Sequence, residues 1–276
     1  MLRRFTQVDV FPSGPYLGNA LAVVLDSEGL STEDMQRFAR WTNLAETTFL
    51  LPPSTPEADY RVRIFTTESE LPFAGHPTLG TCHAWLESGG RPRKDGEVIQ
   101  ECGAGLVPLR MTDDGPAFQA PPLMRSGPVA EELLERIAAS LGIGRGDIVG
   151  AEWADNGPGW IGVLLADAAT VLALRPGAVP HEVGVVGPYP AGSPYAFEVR
   201  AFIAHEGATT EDPVTGSLNA SLGQWLLRTG RATSPYVVSQ GTAIDRAGRI
   251  HVSADPEGNV WVAGAVRTCV NGHVEL

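Results

Sequence analysis

The fold is decided by a stretch that reads Val62-Arg63-Ile64-Phe65 and, after a polar loop, His76-Pro77-Thr78-Leu79-Gly80-Thr81. A similar stretch follows in the second half of the chain, where Val199-Arg200-Ala201-Phe202 precedes Asp212-Pro213-Val214-Thr215-Gly216-Ser217. The two offsets, 137 and 136 residues, differ by one. Each copy predicts a strand, a loop, a helix start that contains proline and glycine, and a helix. We interpret the chain as two related halves that arose by internal duplication.

The two predicted helix starts have the chemistry of an anion site. Proline is favourable in a first helical turn because its missing N–H would have no partner there. The glycine and the threonine or serine that follow leave backbone donors at the positive end of the helix dipole, which suits a carboxylate. Two such starts that face each other would form one anion-binding cleft between the halves. The alternative is that these residues only cap two helices.

Composition bounds the size and the partners of the protein. The 276 residues correspond to about 1.8 typical domains of roughly 150 residues, and 43% hydrophobic with 19% charged residues is typical of a folded protein. The 32 glycines and 22 prolines predict many turns between short elements rather than a long-helix bundle. A net charge of −12 without a basic cluster indicates no nucleic-acid partner.

Lysine and cysteine usage excludes several kinds of chemistry. Lys94 is the single lysine, and it lies in a polar, turn-like stretch where nothing would lower its pKa for Schiff-base chemistry. It is also not part of a phosphate-binding glycine loop. Three cysteines at wide spacings indicate neither a disulfide framework nor a Cys-x-x-Cys site. We therefore expect no organic cofactor and no metal.

The sequence also predicts where the chain resides. No apolar run approaches the roughly 20 residues that span a bilayer, and the first residues lack an apolar signal core. We expect no membrane association and a cytoplasmic location.

Local patterns predict an α+β protein with strongly bent sheets. Ser31 and Asp34 indicate the start of a helix that ends near Asn43. A second helix is predicted from about Thr78 to Glu87, ended by two glycines. Asn271-Gly272 predicts a hairpin turn into the last strand.

Three side chains are candidates for chemistry. His76 and Asp212 occupy the same place in the two matched stretches, so they could converge on an amino acid or another small polar acid. Glu46 lies between a helix end and an apolar strand, where apolar neighbours could raise its pKa towards the value that an acid/base near neutral pH needs. The alternative for Glu46 is a solvated side chain. Glu68 and Glu70 are weaker candidates.

Four motifs carry a family resemblance. They are Asn43-Leu44-Ala45-Glu46-Thr47-Thr48-Phe49, Arg63-Ile64-Phe65-Thr66, the run from Glu70 to Gly80, and Glu211-Asp212-Pro213-Val214-Thr215-Gly216-Ser217, with Gly18-Asn19, Asn156-Gly157-Pro158 and Gln240-Gly241 in addition. Together they resemble the PhzF-like phenazine-biosynthesis family over nearly the whole chain.

The resemblance implies the diaminopimelate-epimerase-like fold, with two pseudo-symmetric halves. Each half would be a strongly curved, mostly antiparallel, barrel-like sheet around a central helix. We expect an N-terminal half of residues 1–116, to which the last strand, about 265–276, can return, and a C-terminal half of residues 117–264. The active site would lie in the cleft between them.

The resemblance also implies roles for named residues. Glu46 would shuttle a proton as acid and base, with His76 and Asp212 at the substrate. Gly75, Gly216 and Ser217 would donate hydrogen bonds to the substrate carboxylate. The family's characterised reaction is the isomerisation of trans-2,3-dihydro-3-hydroxyanthranilate, which needs no cofactor. We therefore expect a cofactor-independent isomerase of a small carboxylic or amino acid, and the resemblance implies a homodimer.

Departures from the family pattern leave the substrate open. The segment after Gln240-Gly241 reads Asp245-Arg246-Ala247-Gly248 where the family commonly has Gly-Arg-Pro-Ser, and Ala45 replaces a frequent serine. One alternative is an epimerase or racemase of the same fold, which would need a cysteine at each helix start, where this chain has Ala74 and Thr215. The other is a non-catalytic protein that binds a small acid.

Overall fold

The structure is a computed structural model that describes residues 1–205 and 207–276. It contains two compact units, unit 1 (Met1–Gln119 and Ala263–Leu276) and unit 2 (Ala120–Val262). Within the described residues, no helix is both long enough and apolar enough to cross a membrane.

Both units combine short strands with few helices. The helices are α1 (Thr32–Thr42), α2 (Gly75–Glu87), α3 (Glu131–Leu141), α4 (Ala168–Ala173) and α5 (Gly216–Arg228). The strands are β1 (Leu2–Val10), β2 (Asn19–Val24), β3 (Glu46–Leu51), β4 (Tyr60–Phe65), β5 (Glu70–Leu71), β6 (Glu97–Cys102), β7 (Gly105–Thr112), β8 (Gly115–Gln119), β9 (Arg125–Gly127), β10 (Gly150–Asp155), β11 (Ile161–Leu164), β12 (Val183–Pro188), β13 (Phe197–His205), β14 (Ala208–Asp212), β15 (Tyr236–Gln240), β16 (Gly248–Ala254), β17 (Val260–Ala263) and β18 (Val266–Glu275).

Unit 1 is a mostly antiparallel sheet around α2. Its strands follow the order β18–β1–β2–β3–β4–β6–β7–β8, in which β2–β3 and β4–β6 are parallel and β5 pairs antiparallel with β4. Helix α2 contacts β1, β2, β3, β6, β8 and β18, and most of its residues are buried. A helix that touches so many strands of one sheet requires a strongly curved sheet. At the closest approach, a Cβ on Gly80 would lie 2.6 Å from Leu21, so glycine allows the helix to reach the strands.

Unit 2 has the same order of pairing senses. Its strands follow β9–β10–β11–β12–β13–β15–β16, with β11–β12 and β13–β15 parallel and β14 antiparallel to β13. Helix α5 takes the place of α2 between β14 and β15, and it is equally buried. A Cβ on Gly184 of β12 would lie 2.2 Å from Leu218 of α5. The expected fold of two similar α+β halves, each with a buried helix, is confirmed.

Two predicted helices differ in how well the sequence located them. For α1, the side chain of Ser31 accepts a hydrogen bond from the Asp34 N–H, and Asn43 ends the helix in the left-handed region at φ 55°, as predicted. Helix α2 begins at Gly75, three residues before the predicted start. Its first turn therefore contains His76 and Pro77, which is possible because the first N–H groups of a helix need no partner within it.

The predicted hairpin at Asn271-Gly272 is wrong. Strand β18 runs through both residues, and Asn271 and Gly272 pair with Thr6 and Phe5 of β1. Residues on both sides of this dipeptide pair with the same strand, so the chain does not reverse there. Asn-Gly favours a turn only when the two flanking segments can pair with each other.

Candidate active site

The two helix starts do not correspond as the sequence match suggested. Gly75 and Gly216 are each the first residue of a buried helix of 13 residues, so the helices are offset by 141 positions and not by 136. The strands before them are offset by 137 residues, and the other four residues of the offset come from the hairpins. Four residues separate the paired Phe65 and Glu70, whereas eight separate the paired Phe202 and Glu211.

This register changes the position of the predicted pair. His76 is the second residue of α2, but Asp212 is the last residue of β14, four residues before α5 begins. The prediction that they occupy the same place in the two halves is therefore wrong. The residue that matches His76 in position is Ser217.

In unit 1 the structure brings Glu46 and His76 together. Glu46 is the first residue of β3, paired with Leu21 of β2, and its side chain is 16% exposed. Its Oε2 lies 3.2 Å from Nε2 of His76, although the two atoms do not have the alignment of a full hydrogen bond. Acid/base pairs often align fully only when a substrate is bound. The Glu46 side chain is only partly accessible to water.

His76 is held as a neutral imidazole. It is 4% exposed, and burial lowers its pKa to about 3 because the surroundings disfavour the charged form. A neutral imidazole has one N–H donor and one acceptor nitrogen. At neutral pH His76 can therefore donate one hydrogen bond and accept another.

Asn19, which was not among the predicted site residues, also belongs to this cluster. It is the first residue of β2 and is 3% exposed, and its Nδ2 lies 3.4 Å from Nδ1 of His76. The preceding Gly18 donates its N–H to Oδ1 of Asp9, at 3.0 Å. The signal in the sequence is a polar residue at the start of an otherwise apolar strand, because a buried amide needs a hydrogen-bonding partner.

In unit 2 the start of α5 is surrounded by hydrogen bonds. The Ser217 hydroxyl oxygen accepts the indole N–H of Trp160 at 3.1 Å, so its own O–H remains a donor. The side chain of Asn156 donates to the backbone carbonyl of Ser217 at 2.8 Å. Gly216 precedes Ser217 and is buried. The first turn of α5 thus presents backbone donors and one oriented hydroxyl.

Asp212 is anchored next to this helix start. Its Oδ2 accepts the hydroxyl proton of Thr215 at 2.6 Å, and its backbone carbonyl accepts a bond from Gln240 at 3.2 Å. Gln240 also accepts the backbone N–H of Thr215, at 3.1 Å. The aspartate therefore lies near the start of α5 as expected, although on the strand and not on the helix.

Thiol chemistry has no support at the helix starts. The residues that cap α2 and α5 are Ala74 and Thr215, as the sequence predicted. Cys82 lies inside α2, where burial raises the pKa of its thiol to about 12.

The two weaker acid/base candidates, Glu68 and Glu70, lie in other surroundings. Glu68 is exposed, and Glu70 forms an ion pair with Arg63.

Comparisons with known proteins show which family the chain belongs to. The family model described as phenazine biosynthesis-like protein (PhzC-PhzF) matches residues 8–273. "Antisense-enhancing sequence 1" of Schizosaccharomyces pombe is 35% identical over 97% of both chains. "Trans-2,3-dihydro-3-hydroxyanthranilate isomerase" of Pseudomonas aeruginosa is 34% identical over 93% of this chain and 92% of its own.

The fold has a close match among solved structures. A Bacillus anthracis protein described as a phenazine biosynthesis protein of the PhzF family superposes with a TM-score of 0.83 at 23% identity, and the match covers 100% of both chains. At this identity the match shows the fold, while the family rests on the sequence comparisons, several of which are to proteins named isomerases. The chain therefore belongs to the phenazine biosynthesis-like (PhzC-PhzF) family, and it is an isomerase of that family.

Proposed function

We propose that the protein is a cofactor-independent isomerase of a small carboxylic or amino acid, in which Glu46 moves a proton from one carbon of the substrate to another. The observation that carries this proposal is the pairing of Glu46 with a buried, neutral His76 at the start of α2. A carboxylate in partly buried surroundings can serve as both base and acid in one reaction cycle.

The proposed reaction conserves atoms and electrons without a further reactant. The Glu46 carboxylate takes a proton from a carbon next to a conjugated system, and the electron pair of the broken C–H bond moves into that system. Glu46, now a carboxylic acid, returns the proton to a second carbon on the same face. The new C–H bond forms with the displaced electron pair, so the double bonds shift and nothing is gained or lost.

We propose that His76 supports this step as a hydrogen-bond donor. Its ring is neutral at neutral pH, so it can stabilise the Glu46 carboxylate without adding a positive charge to the site. The backbone N–H groups of Gly75 and His76 lie in the first helical turn, where they have no partner within the helix. They are suited to a polar group of the substrate.

The residues of unit 2 supply a second set of donors in the proposal. The N–H groups of Gly216 and Ser217 and the oriented Ser217 hydroxyl are suited to a carboxylate, because they combine the positive end of a helix with a fixed O–H donor. Asp212 could accept a hydrogen bond from an amino or hydroxyl group of the same substrate. That all these residues serve one substrate stays a prediction.

The relatives suggest a first substrate to test. Proteins named trans-2,3-dihydro-3-hydroxyanthranilate isomerase are 30–34% identical to this chain. That compound is a small conjugated acid with an amino group, which fits the proposed donors. Ala45 and the segment Asp245-Arg246-Ala247-Gly248 depart from the family pattern, so a related small acid is the second candidate.

The test uses purified protein, this compound and deuterated water. Glu46→Gln keeps the size and polarity of the side chain but removes its acid/base function, and we expect the turnover rate to fall by about 10²–10⁴-fold. Glu68→Gln is the matched control, because Glu68 is exposed and should leave the rate unchanged. Equal turnover and equal deuterium incorporation in Glu46→Gln and in the unaltered protein would refute the role of Glu46.

Lack of turnover with this compound would move the test to ligand binding. A thermal-shift series of small aromatic and amino acids then identifies the acid that stabilises the protein. The stabilisation should be lost in His76→Ala and in Asp212→Ala. If neither variant changes the response to any stabilising acid, the proposed site is wrong.

The proposed homodimer rests on the family resemblance alone. We expect light scattering to give a mass of twice the 29.2 kDa of the chain. A single-chain mass across the micromolar range would contradict it.

A further inference from the structure

A buried amide lies against the ring nitrogen of His76 that faces away from Glu46. Nδ2 of Asn19 is 3.4 Å from Nδ1 of His76, while Nε2 of the same ring is 3.2 Å from Oε2 of Glu46. The imidazole thus lies between an amide and a carboxylate. Since Asn19 and His76 are 3% and 4% exposed, water has little access to either contact.

These contacts determine which ring nitrogen carries the proton. An amide nitrogen donates hydrogen bonds and has no lone pair to accept one, so Nδ1 must be the acceptor in its contact with Asn19. A neutral imidazole has one proton, which must then reside on Nε2. That proton is then directed to the side of Glu46, whose Oε2 lies 3.2 Å from Nε2. With the opposite tautomer, the lone pair of Nε2 would face the carboxylate and repel it.

The backbone holds Asn19 firmly in this position. Asn19 pairs with Val10 in the β1–β2 ladder, and the N–H of Gly18 is bound by the carboxylate of Asp9. A Cβ on Gly18 would lie 2.2 Å from the carbonyl oxygen of Val10, so the chain passes too close there for any other residue. The sequence Gly18-Asn19 therefore fixes both the path of the chain and the position of the amide.

We propose that Asn19 is a positioning residue that holds His76 as the Nε2–H tautomer, so that His76 donates to Glu46 and cannot take up the proton that Glu46 removes. The functional part rests on the proposed role of Glu46. With Nε2 already protonated and Nδ1 occupied, the ring has no free lone pair towards Glu46. The proton therefore stays on Glu46 until it returns to the substrate.

The tautomer can be measured without any substrate. In a long-range ¹H–¹⁵N spectrum at neutral pH, protonated and unprotonated ring nitrogens of histidine have well-separated shifts. We expect His76 to show a protonated Nε2 and an unprotonated Nδ1, with the signals assigned by their loss in His76→Gln. A protonated Nδ1 in the unaltered protein would overturn the proposal, whatever the activity of the enzyme.

Asn19→Asp gives the sharpest contrast. The carboxylate has nearly the size of the amide but only accepts hydrogen bonds, so it should move the proton of His76 to Nδ1. The matched control is Thr268→Val, which removes a hydroxyl 2.9 Å from Nε2 of a different histidine, His83. We expect it to alter the His83 signals and to leave those of His76 unchanged. An unchanged His76 tautomer in Asn19→Asp would overturn the proposal. If that variant does not fold, the spectrum of the unaltered protein decides.

The functional consequence is exchange of the transferred hydrogen with solvent. In Asn19→Asp, Nε2 can accept the proton from Glu46, so deuterium from the solvent should enter the product more often per turnover. We expect kcat to fall by about 10–100-fold and KM to change little, as for residues that orient a site through another side chain. A purely structural role for Asn19 would lower the amount of folded enzyme without changing deuterium per turnover, and that result would refute the functional part.

These experiments distinguish a failure of the proposed function from a failure of the proposed role of Asn19. If Glu46→Gln remains fully active while His76 is the Nε2–H tautomer, the proposed function fails and the tautomer assignment stands. If Glu46→Gln is inactive while His76 carries its proton on Nδ1, the function stands and the role of Asn19 fails.

Discussion

The buried ion pair between Arg200 and Glu211 provides a test of how burial sets the cost of losing a charge. The two side chains are 4% and 10% exposed, and the guanidinium binds both carboxylate oxygens. It also donates to the backbone carbonyls of Val171 and Leu174, at 3.2 and 2.9 Å. Arg200→Ala leaves the carboxylate of Glu211 without its partner inside the protein. We expect unfolding to become easier by about 3–5 kcal/mol.

Unit 1 contains a matched pair in the same type of hairpin. Arg63 and Glu70 make the same two-pronged contact, but their side chains are 25% and 39% exposed. Each arginine also lies over a phenylalanine ring, at 5.1 Å from Phe65 for Arg63 and at 5.0 Å from Phe202 for Arg200. That contribution cancels in the comparison, so the pairs differ in exposure and in the further bonds of the arginine, which go to two backbone carbonyls for Arg200 and to the Thr32 hydroxyl for Arg63. Because water can solvate Glu70, Arg63→Ala should cost about 1 kcal/mol or less.

The assay is urea unfolding of both variants, with hydrogen exchange to locate the loss. The change in the free energy of unfolding is obtained from the shift of the urea midpoint, provided that the dependence on urea concentration keeps the same slope. The amide exchange rates of β13 and β14 should rise far more in Arg200→Ala than those of β4 and β5 in Arg63→Ala. The double variant Arg200→Met with Glu211→Leu should recover most of the stability, because no unpaired charge remains. Equal costs for the two single alanine variants would refute the argument from burial.

Three further predictions follow from single contacts. Burial lowers the pKa of His76 from 6.5 to about 3, so between these pH values the imidazole is protonated in the unfolded chain but neutral in the folded protein. The free energy of unfolding should therefore fall as the pH drops from about 6.5 to 3, by at most about 1.4 kcal/mol per pH unit. Urea unfolding of His76→Asn should lack this component of the slope. Gly80→Ala places a methyl group 2.6 Å from Leu21 and should destabilise the protein by about 1–3 kcal/mol in the same assay. Trp160→Phe removes the donor to the Ser217 hydroxyl and should raise KM by up to about tenfold in steady-state kinetics; a fall in kcat at constant KM would contradict this.

Local signals in the sequence located some elements closely. Ser31 and Asn43 bound α1 because a side-chain cap and a left-handed residue act within a few positions of the chain. The predicted start of α2 is three residues late, because it lies after Pro77, which is the third residue of the helix. Asn271-Gly272 was read as a turn because the pattern does not reveal that β1 pairs on both sides of it. The second failure, unlike the first, concerns contacts that are distant in sequence.

The alignment of the two repeats is a second case in which strand pairing, and not the local sequence, determines the correct correspondence. Both matched segments contain proline followed three residues later by glycine, which aligned His76 with Asp212. The longer hairpin between β13 and β14 shifts the second helix by four residues, and the correspondence then becomes Glu70-Leu71-Pro72-Phe73-Ala74-Gly75 with Glu211-Asp212-Pro213-Val214-Thr215-Gly216. In this register the glutamates of the two ion pairs also correspond. Strand pairing, which the sequence does not display, was needed to find it.

The corrected correspondence, which matches His76 with Ser217, allows the side chains at the two helix starts to be compared as carriers of the substrate proton. An enzyme that uses two bases needs a titratable side chain at each helix start, and His76 with Glu46 supplies this at α2. At α5 the corresponding residue is Ser217, whose hydroxyl is oriented by Trp160, and the cap is Thr215, whose hydroxyl donates to Asp212. The two hydroxyls are hydrogen-bond donors, and the carboxylate of Asp212 accepts the bond from Thr215. The proposal that Glu46 alone carries the proton, taking it up and returning it, rests in part on this difference between the two helix starts.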